Sequence, residues 1–308
     1  MGSREFGGWT AAERERGGRG ACVLRLPGVY VVDTECCTDH KGFIGPGYKT
    51  GHSVVLSRSG AYRWRQQGEE SWMDATAGYV THIGDEVFSA HPLGTGDRST
   101  EIHLSADAFA EHFDGAAGRR RLVITGPTDL RHRALMAAVR RGTDGFELAE
   151  RLHQLFDEVA ASAGCGGYDG TPPLPARRVH QRLVADVCAA LATGFLTGSL
   201  DELAARVGAS PHHLSRVFRR VTGRTLTWYR NELRIRAVLQ DIEDGRGGLR
   251  ALSAAYEFAD QAHLTRVMRR HTGEPPSVVR ELLGVSVGVG VSADPGSGAG
   301  LGSGAGMK

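Results

Sequence analysis

The chain has 308 residues, of which 41% are hydrophobic and 23% charged, and its formal net charge is +2. This length predicts about two domains, and this composition is typical of globular proteins. No apolar run reaches the roughly 18 residues of a transmembrane helix, and residues 1–20 contain no apolar signal segment, so neither a membrane protein nor a secreted one is expected.

The five cysteines indicate a reducing compartment. Their number is odd, and no two of them form a C-x-x-C pair. We therefore expect neither a disulfide framework nor a structural zinc site, and the cytoplasm is the simplest location.

Three segments rich in glycine and polar residues divide the chain. Residues 1–20 and 284–308 contain too little apolar surface to fold and are predicted to be disordered. Residues 161–176 are dense in glycine and proline, which break helices, and are predicted to be a linker. These boundaries leave an N-terminal domain at 21–160 and a C-terminal domain at 177–283.

Runs of β-branched and aromatic residues predict a small β-barrel or sandwich in the N-terminal domain. Turn signals such as Ser59-Gly60 separate many of these runs. The predicted strands are Val29–Asp33, His52–Arg58, Ala61–Gln66, Gly78–His82 and Thr100–Leu104.

Apolar residues at helical spacing predict two amphipathic helices after the strands, at Thr128–Arg141 and Phe146–Ala161. In the second helix, Leu148, Leu152 and Leu155 follow one face. This face has two interpretations, since it either covers the sheet or forms the seam of a homodimer.

The C-terminal domain has a helical pattern throughout and a basic balance of charge. From Arg177 to Leu283 the net charge is +6, whereas the rest of the chain carries −4. This asymmetry indicates a partner that is a polyanion. The predicted helices are Arg177–Ala192, Leu200–Val207, Pro211–Val221, Leu226–Ile242, Leu249–Tyr256, Gln261–His271 and Pro276–Leu283.

An internal repeat lies within these helices. Ser210–Gly223 reads S-P-H-H-L-S-R-V-F-R-R-V-T-G, and Asp260–Gly273, 50 residues later, reads D-Q-A-H-L-T-R-V-M-R-R-H-T-G, so eight of 14 positions are identical. Each copy begins at a good N-cap residue and ends at a glycine suited to a left-handed cap. A short Ala-rich helix precedes each copy, and together they predict two helix-turn-helix units, at about 200–221 and 249–271.

The second helix of each unit exposes side chains that suit DNA. In the first copy these are His212, Ser215, Arg216 and Arg219, with an inward apolar stripe of Leu214, Val217, Phe218 and Val221. Arg can pair with guanine and Gln with adenine, and arginines further along the helix suit phosphates. The candidates for phosphate contact are Arg219, Arg220, Arg269 and Arg270.

With these motifs the C-terminal third resembles the arabinose-regulator family (AraC/XylS) of bacterial transcription factors. The resemblance rests on L-A-A-R-V-G-A-S-P-H-H-L-S-R-V-F-R-R-V-T-G and on R-R-H-T-G-E-P-P-S-V-V-R. It implies that both second helices enter the major groove of double-stranded DNA, about one helical turn apart. The base-reading positions that it implies are His212, Ser215, Arg216, Gln261, Ala262, Thr265 and Arg266.

Two positions depart from the family pattern. Glu257-Phe258 stands where the family has Gly-Phe, and Leu226 follows Thr225 where the family has proline. We expect Glu257 to alter the angle of the second turn and, as an acid near DNA, to weaken binding.

The resemblance also implies a cupin-like sensor in the N-terminal domain, which binds an unidentified small-molecule effector and forms a homodimer. An aromatic wall of its pocket is predicted at Tyr62, Trp64, Trp72, Tyr79 and Phe88. His52, His82, His91 and His103 are the candidate metal ligands, but no H-x-H pair is present, so we expect no metal and no cofactor.

The sequence thus predicts an α+β chain of two domains, a cupin-like β-barrel with trailing helices followed by an all-α double helix-turn-helix. The predicted function is that of a non-enzymatic, DNA-binding transcription regulator with RNA polymerase as a further partner and no membrane association. The alternative is a metal-dependent cupin enzyme, or a thiol sensor at Cys36-Cys37 with Asp39 and His40 nearby, fused to a DNA-binding module.

Overall fold

The strands lie in the N-terminal part of the chain. The structure is a computed structural model that describes residues 18–36, 41–91, 96–113, 121–163, 175–193 and 195–285. The sheet-rich N-terminal domain and the helical C-terminal domain of the sequence analysis are both confirmed. The strands are β1 Gly18–Leu26, β2 Val29–Cys36, β3 Ile44–Tyr48, β4 His52–Gln66, β5 Glu69–Asp74, β6 Ala77–Thr81, β7 Glu86–Ala90, β8 Asp97–Leu104 and β9 Arg121–Val123.

The strands form two antiparallel layers that share β4. One layer has the order β1-β2-β8-β4-β6-β9, and the other joins β5 and β7 to the second half of β4, with β3 beside β7. The sequence predicted two strands broken at Ser59-Gly60, which was wrong. A bulge at this point bends one 15-residue strand from the first layer into the second. Gly60 has a φ of 75°, and a Cβ there would lie 2.1 Å from the carbonyl oxygen of Gly96.

The outer face of the first layer packs against three helices, α1 Ala106–Phe113, α2 Gly126–Arg140 and α3 Gly145–Ala163. Leu148, Leu152 and Leu155 of α3 belong to this core, and each is at most 5% exposed. Of the two interpretations of this face, the one in which it covers the sheet is confirmed, and a dimer seam at these leucines is wrong, because their own chain already covers them.

Several strands and one helix were not predicted from the sequence. β1 begins at Gly18, inside the stretch predicted to be disordered, and α1, β3, β5, β7 and β9 were not predicted. The predicted linker 161–176 is shorter at both ends, because α3 continues to Ala163 and the next helix begins at Pro175. Residues 1–17, 164–174 and 286–308 lie outside the described residues, as do Cys37, Asp39 and His40.

The C-terminal part is helical and has two separate cores. Its helix boundaries agree with the predicted ones to within two residues. The helices are α4 Pro175–Ala192, α5 Leu200–Arg206, α6 Pro211–Thr222, α7 Leu226–Glu243, α8 Leu249–Ala255, α9 Gln261–Thr272 and α10 Pro276–Leu282. None of the helices in the described ranges is both long and apolar enough to cross a lipid bilayer.

The N-terminal domain packs directly on the second helix-turn-helix unit. Leu130 of α2 lies in the apolar core formed by α7 to α10, 3% exposed. Gly126, at the start of α2, lies against the end of α9, where an added Cβ would be 2.0 Å from the carbonyl oxygen of His271. No larger residue fits there unless the two domains separate.

A buried network of charged side chains joins α2 to α7. Arg133 is fully buried and contacts Asp129 at 2.8 Å, Glu243 at 2.7 Å and the carbonyl oxygen of Arg58 at 2.9 Å. From α7, Arg236 contacts Asp129 at 2.8 Å and donates to the carbonyl oxygen of Ile124.

The arginines of this network keep the Asp129 carboxylate ionised. Burial by itself would raise the pKa of Asp129, but Arg133 and Arg236 outweigh it and leave that pKa below its ordinary value. The neighbouring His132 is also buried, and burial together with Arg58 lowers its pKa to about 3. His132 is therefore neutral at physiological pH.

Candidate nucleic-acid interface

Helix α6, the second helix of the first unit, has defined ends. The side chain of Ser210 accepts a hydrogen bond from the backbone N–H of His213, and Pro211 occupies the first turn, where its missing N–H costs nothing. The helix ends at Gly223, whose φ of 72° lies in the left-handed region that glycine adopts without strain.

Helix α9 of the second unit repeats this arrangement. The Asp260 carboxylate accepts a hydrogen bond of 2.6 Å from the N–H of His263, and Gly273 ends the helix with a φ of 84°. The N-caps and C-terminal glycines predicted for both copies are confirmed.

Each helix buries one apolar stripe and leaves the opposite face open. Leu214, Val217 and Phe218 are at most 2% exposed, and Leu264, Val267 and Met268 are at most 5% exposed. Val221, predicted to be the fourth inward residue of α6, is 38% exposed and lies beyond the core. In the second copy this position holds the buried His271, which pairs with Glu232.

The structure places all predicted DNA-contacting residues on the open faces of α6 and α9. Ser215 and Thr265 are half-buried at matching positions, and the other residues are exposed. Because a helix returns to the same face every three to four residues, each helix presents them as a continuous row. The exposed ones are His212, Arg216, Arg219, Arg220, Gln261, Ala262, Arg266, Arg269 and Arg270.

A groove of about 690 Å³ runs beside α6 and adds residues that the sequence analysis missed. Thr225, Thr227 and Arg230, at the start of α7, line it together with Arg216 and Arg219. The signal in the sequence was a hydroxyl and arginine cluster in the first turn of α7. The groove is concave and carries no carboxylate among its lining residues, which suits a phosphate backbone.

The two units differ just beyond the C-terminal glycines. In the first unit the Arg224 guanidinium lies over the Trp228 ring, 4.0 Å from its centroid. The corresponding residue of the second unit is Glu274. The first unit therefore carries the more positive surface at this point.

Glu257 occupies the place in the second turn that Gly208 occupies in the first, two residues after the preceding helix ends. Gly208 has a φ of 66° in the first unit, and Glu257 has a φ of 51° in the second. The second turn is one residue longer, since four residues separate Ala255 from Asp260 and three separate Arg206 from Ser210. The effect of Glu257 on the angle of this turn stays a prediction. The glutamate adopts the left-handed conformation that glycine would take freely.

We expect Glu257→Gly to stabilise the protein by about 1 kcal/mol, because it removes the strain of a left-handed non-glycine residue. The midpoint of urea unfolding measures this effect. Glu257→Gln is the matched control, since it removes only the charge, which faces Arg234 at 3.7 Å. An equal gain from both variants would assign the effect to charge and contradict the backbone explanation.

The residues predicted to line an effector pocket do not share one wall. Tyr62, Trp64 and Tyr79 are buried together between the two layers. Trp72 and Phe88 pair across strands with Arg63 and Arg65, which alternate with Tyr62 and Trp64 along β4. Trp72 and Phe88 therefore lie on the opposite face of the sheet.

The four predicted metal-ligand histidines also lie apart. His52 and His82 contact each other and Phe109, while His103 stacks on Tyr30. His91 stacks on Tyr62 in a different part of the barrel.

Comparison with known proteins matches the helical part. Residues 203–282 match a helix-turn-helix domain family. The multiple antibiotic resistance protein MarA of Escherichia coli (strain K12) is 29% identical over 82 residues, which cover 27% of this chain and 65% of MarA. The probable transcription factor PqrA of Proteus vulgaris is 28% identical over 82 residues, which cover 27% of this chain and 67% of PqrA. The chain thus spans less than two thirds of the length of MarA.

Solved structures with similar regions include two further proteins. ToxT from Vibrio cholerae O395 aligns with 87% of this chain and 98% of its own, at 11% identity and a TM-score of 0.32. A transcriptional regulator with an AraC-type DNA-binding domain from Chromobacterium violaceum aligns with 39% of this chain and 99% of its own, at 22% identity and a TM-score of 0.32.

Proposed function

We propose that the chain is a sequence-specific, DNA-binding transcription regulator of the AraC type, and the match of residues 203–282 to a helix-turn-helix domain family supports this. The observation that carries the proposal is the duplication of one exposed row. Arg216, Arg219 and Arg220 on α6 recur as Arg266, Arg269 and Arg270 on α9, at the same exposure and the same offset of 50 residues.

In the proposed mechanism, the role of each exposed residue depends on its position along α6 or α9. Residues in the first two turns of α6 and α9 read base edges in successive major-groove segments, and the arginines of the last turn hold phosphates. The groove beside α6 adds Thr225, Thr227 and Arg230 to the backbone contacts of the first unit.

The N-terminal domain supplies regulation in this proposal. A small-molecule effector bound to it changes DNA binding or contact with RNA polymerase, and the chain acts as a homodimer without catalysing a reaction. The packing of α2 on the second unit supports this coupling, because it gives the sensor a direct contact with a DNA-reading helix.

The test is the salt dependence of DNA binding by the full chain. Log affinity should fall linearly with log salt concentration, by about 0.9 for each phosphate neutralised. Arg219→Ala should weaken binding to all sequences alike and reduce the slope by about one unit. Titration at several salt concentrations by fluorescence anisotropy measures both quantities.

Arg131→Ala is the matched control, because this exposed arginine of α2 pairs with Glu158 and faces neither helix row. It should leave affinity and slope unchanged. Absent or salt-insensitive DNA binding by the folded chain would contradict the proposed function. An equal loss of affinity in Arg219→Ala and Arg131→Ala would contradict the proposed phosphate contact of α6.

A further inference from the structure

Three potential metal ligands meet in the barrel at the ends of three strands. Cys36 is the last residue of β2, Asp97 is the first residue of β8 and its cross-strand partner, and His91 directly follows β7. Their sulfur, carboxylate oxygen and ring nitrogen atoms lie within 4.8 Å of one another. We propose that Cys36, His91 and Asp97 bind one divalent ion of the class that accepts thiolate ligands, namely zinc.

The site is buried and its charged groups are already in contact. His91 is 4% exposed and Asp97 9% exposed, and His91 Nε2 lies 2.5 Å from Asp97 Oδ1. Cys36 is half-buried and its thiol is reduced. A side-chain hydrogen bond also links Cys36 to His91. The three ligand atoms therefore surround a space that one ion can occupy, and the ion would displace the protons of the thiol and the imidazole.

A second layer of side chains orients these groups. The hydroxyl of Ser99 donates to Asp97 Oδ2 at 3.3 Å, and Thr34 Oγ1 lies 2.8 Å from Ser99 Oγ. The ring of Tyr62 stacks on the imidazole of His91 with 5.2 Å between centroids and shields it from water. Metal ligands in proteins are commonly held by such outer hydrogen bonds.

The donor set favours zinc over harder ions. Zinc binds cysteine sulfur, histidine nitrogen and carboxylate oxygen, whereas magnesium and calcium prefer oxygen alone. Three protein ligands leave a fourth position of a tetrahedral ion open to water or a small ligand. The sequence contains no C-x-x-C or H-x-H spacing that would have predicted this site, because its ligands are 55 and 6 residues apart in the chain.

A second group of potential ligands, Glu111, His112 and His153, lies between α1 and α3. Glu111 and His153 are exposed, so this group resembles an ordinary charged surface more closely than the buried site does. The experiment must nevertheless separate the two groups.

The test is a titration of the EDTA-treated full chain with cobalt(II), a spectroscopic substitute for zinc. We expect one ion per chain and a thiolate-to-cobalt charge-transfer band, together with the visible bands of a tetrahedral centre. Cys36→Ser should abolish the charge-transfer band, and Asp97→Asn should weaken binding. Ser99→Ala should weaken binding about 10–100-fold, because it releases the carboxylate without removing a ligand.

Two variants serve as matched controls. Cys22→Ser removes an exposed thiol on β1 and should keep the band, and His153→Ala disables the surface group and should keep one ion per chain. Circular dichroism before titration establishes that each variant is folded, and Ser99→Ala provides a second measurement if Asp97→Asn is not.

Several results would overturn the proposal. These are no binding at micromolar cobalt, a band that survives in Cys36→Ser, a band that disappears in Cys22→Ser, or binding that is lost only in His153→Ala. Rapid alkylation of Cys36 without any metal binding would identify a reactive thiol instead. DNA binding is not part of this readout, so failure here leaves the proposed function standing.

Discussion

Arg133→Ala is expected to destabilise the protein by about 3–5 kcal/mol, because it leaves buried carboxylates without their partner. Arg133 is fully buried and pairs with Asp129 and Glu243, which are 0% and 5% exposed at their side chains. Glu243 belongs to α7 of the C-terminal domain. The loss therefore weakens the N-terminal domain and its attachment to the DNA-binding part together.

Equilibrium unfolding in urea, followed by circular dichroism, measures this loss. Arg131→Ala is the matched control on the same helix, since its side chain is 42% exposed and its pair with Glu158 is in contact with water. Exposed pairs contribute about 0.2–1 kcal/mol. A loss of less than 1 kcal/mol for Arg133→Ala, or equal losses for both variants, would show that the buried network contributes no more than a surface pair.

Arg216→Ala is expected to cost about 1–3 kcal/mol of binding free energy on the true operator and to relax specificity at one half of it. Arg216 is exposed two turns before Gly223, early enough in α6 to reach base edges. Arg266 occupies the matching place in α9, so Arg266→Ala should relax the other half.

The comparison uses each variant on operator and on scrambled DNA at two salt concentrations. Arg219→Ala provides the contrast from the same helix, because it should reduce both affinities equally. If Arg216→Ala also lowered both affinities equally, its assignment to base reading would be wrong and Arg216 would be a phosphate contact.

The helical domain could be predicted from sequence because its signals are local. N-caps at Ser210 and Asp260, left-handed glycines at Gly223 and Gly273, and helical spacing each depend on neighbours within a few residues. The same holds for the exposed rows on α6 and α9, since the face opposite a buried stripe follows from the period of the helix.

The barrel and the domain contact could not be predicted in this way, because they depend on residues distant in sequence. Arg133 and Glu243 are 110 positions apart, and nothing in the sequence around either marks it as buried. The bend of β4 at Gly60 was mistaken for a turn, since a glycine signals a bulge and a chain reversal equally well. Cys36, His91 and Asp97 come together only once β2, β7 and β8 are paired.

The two helix-turn-helix units are attached to the barrel unequally. The core of the second unit includes Leu130 of α2, whereas the core of the first unit, within the residues described, includes no side chain of the N-terminal domain. The first unit contacts the N-terminal domain through a hydrogen bond from the Tyr229 hydroxyl to Asp74 and through the packing of α4 against β5. The second unit thus shares an apolar core with the N-terminal domain, whereas the first unit does not. On DNA we expect the second unit to set the register on its half of the operator, while the first unit adjusts to the spacing of the other half.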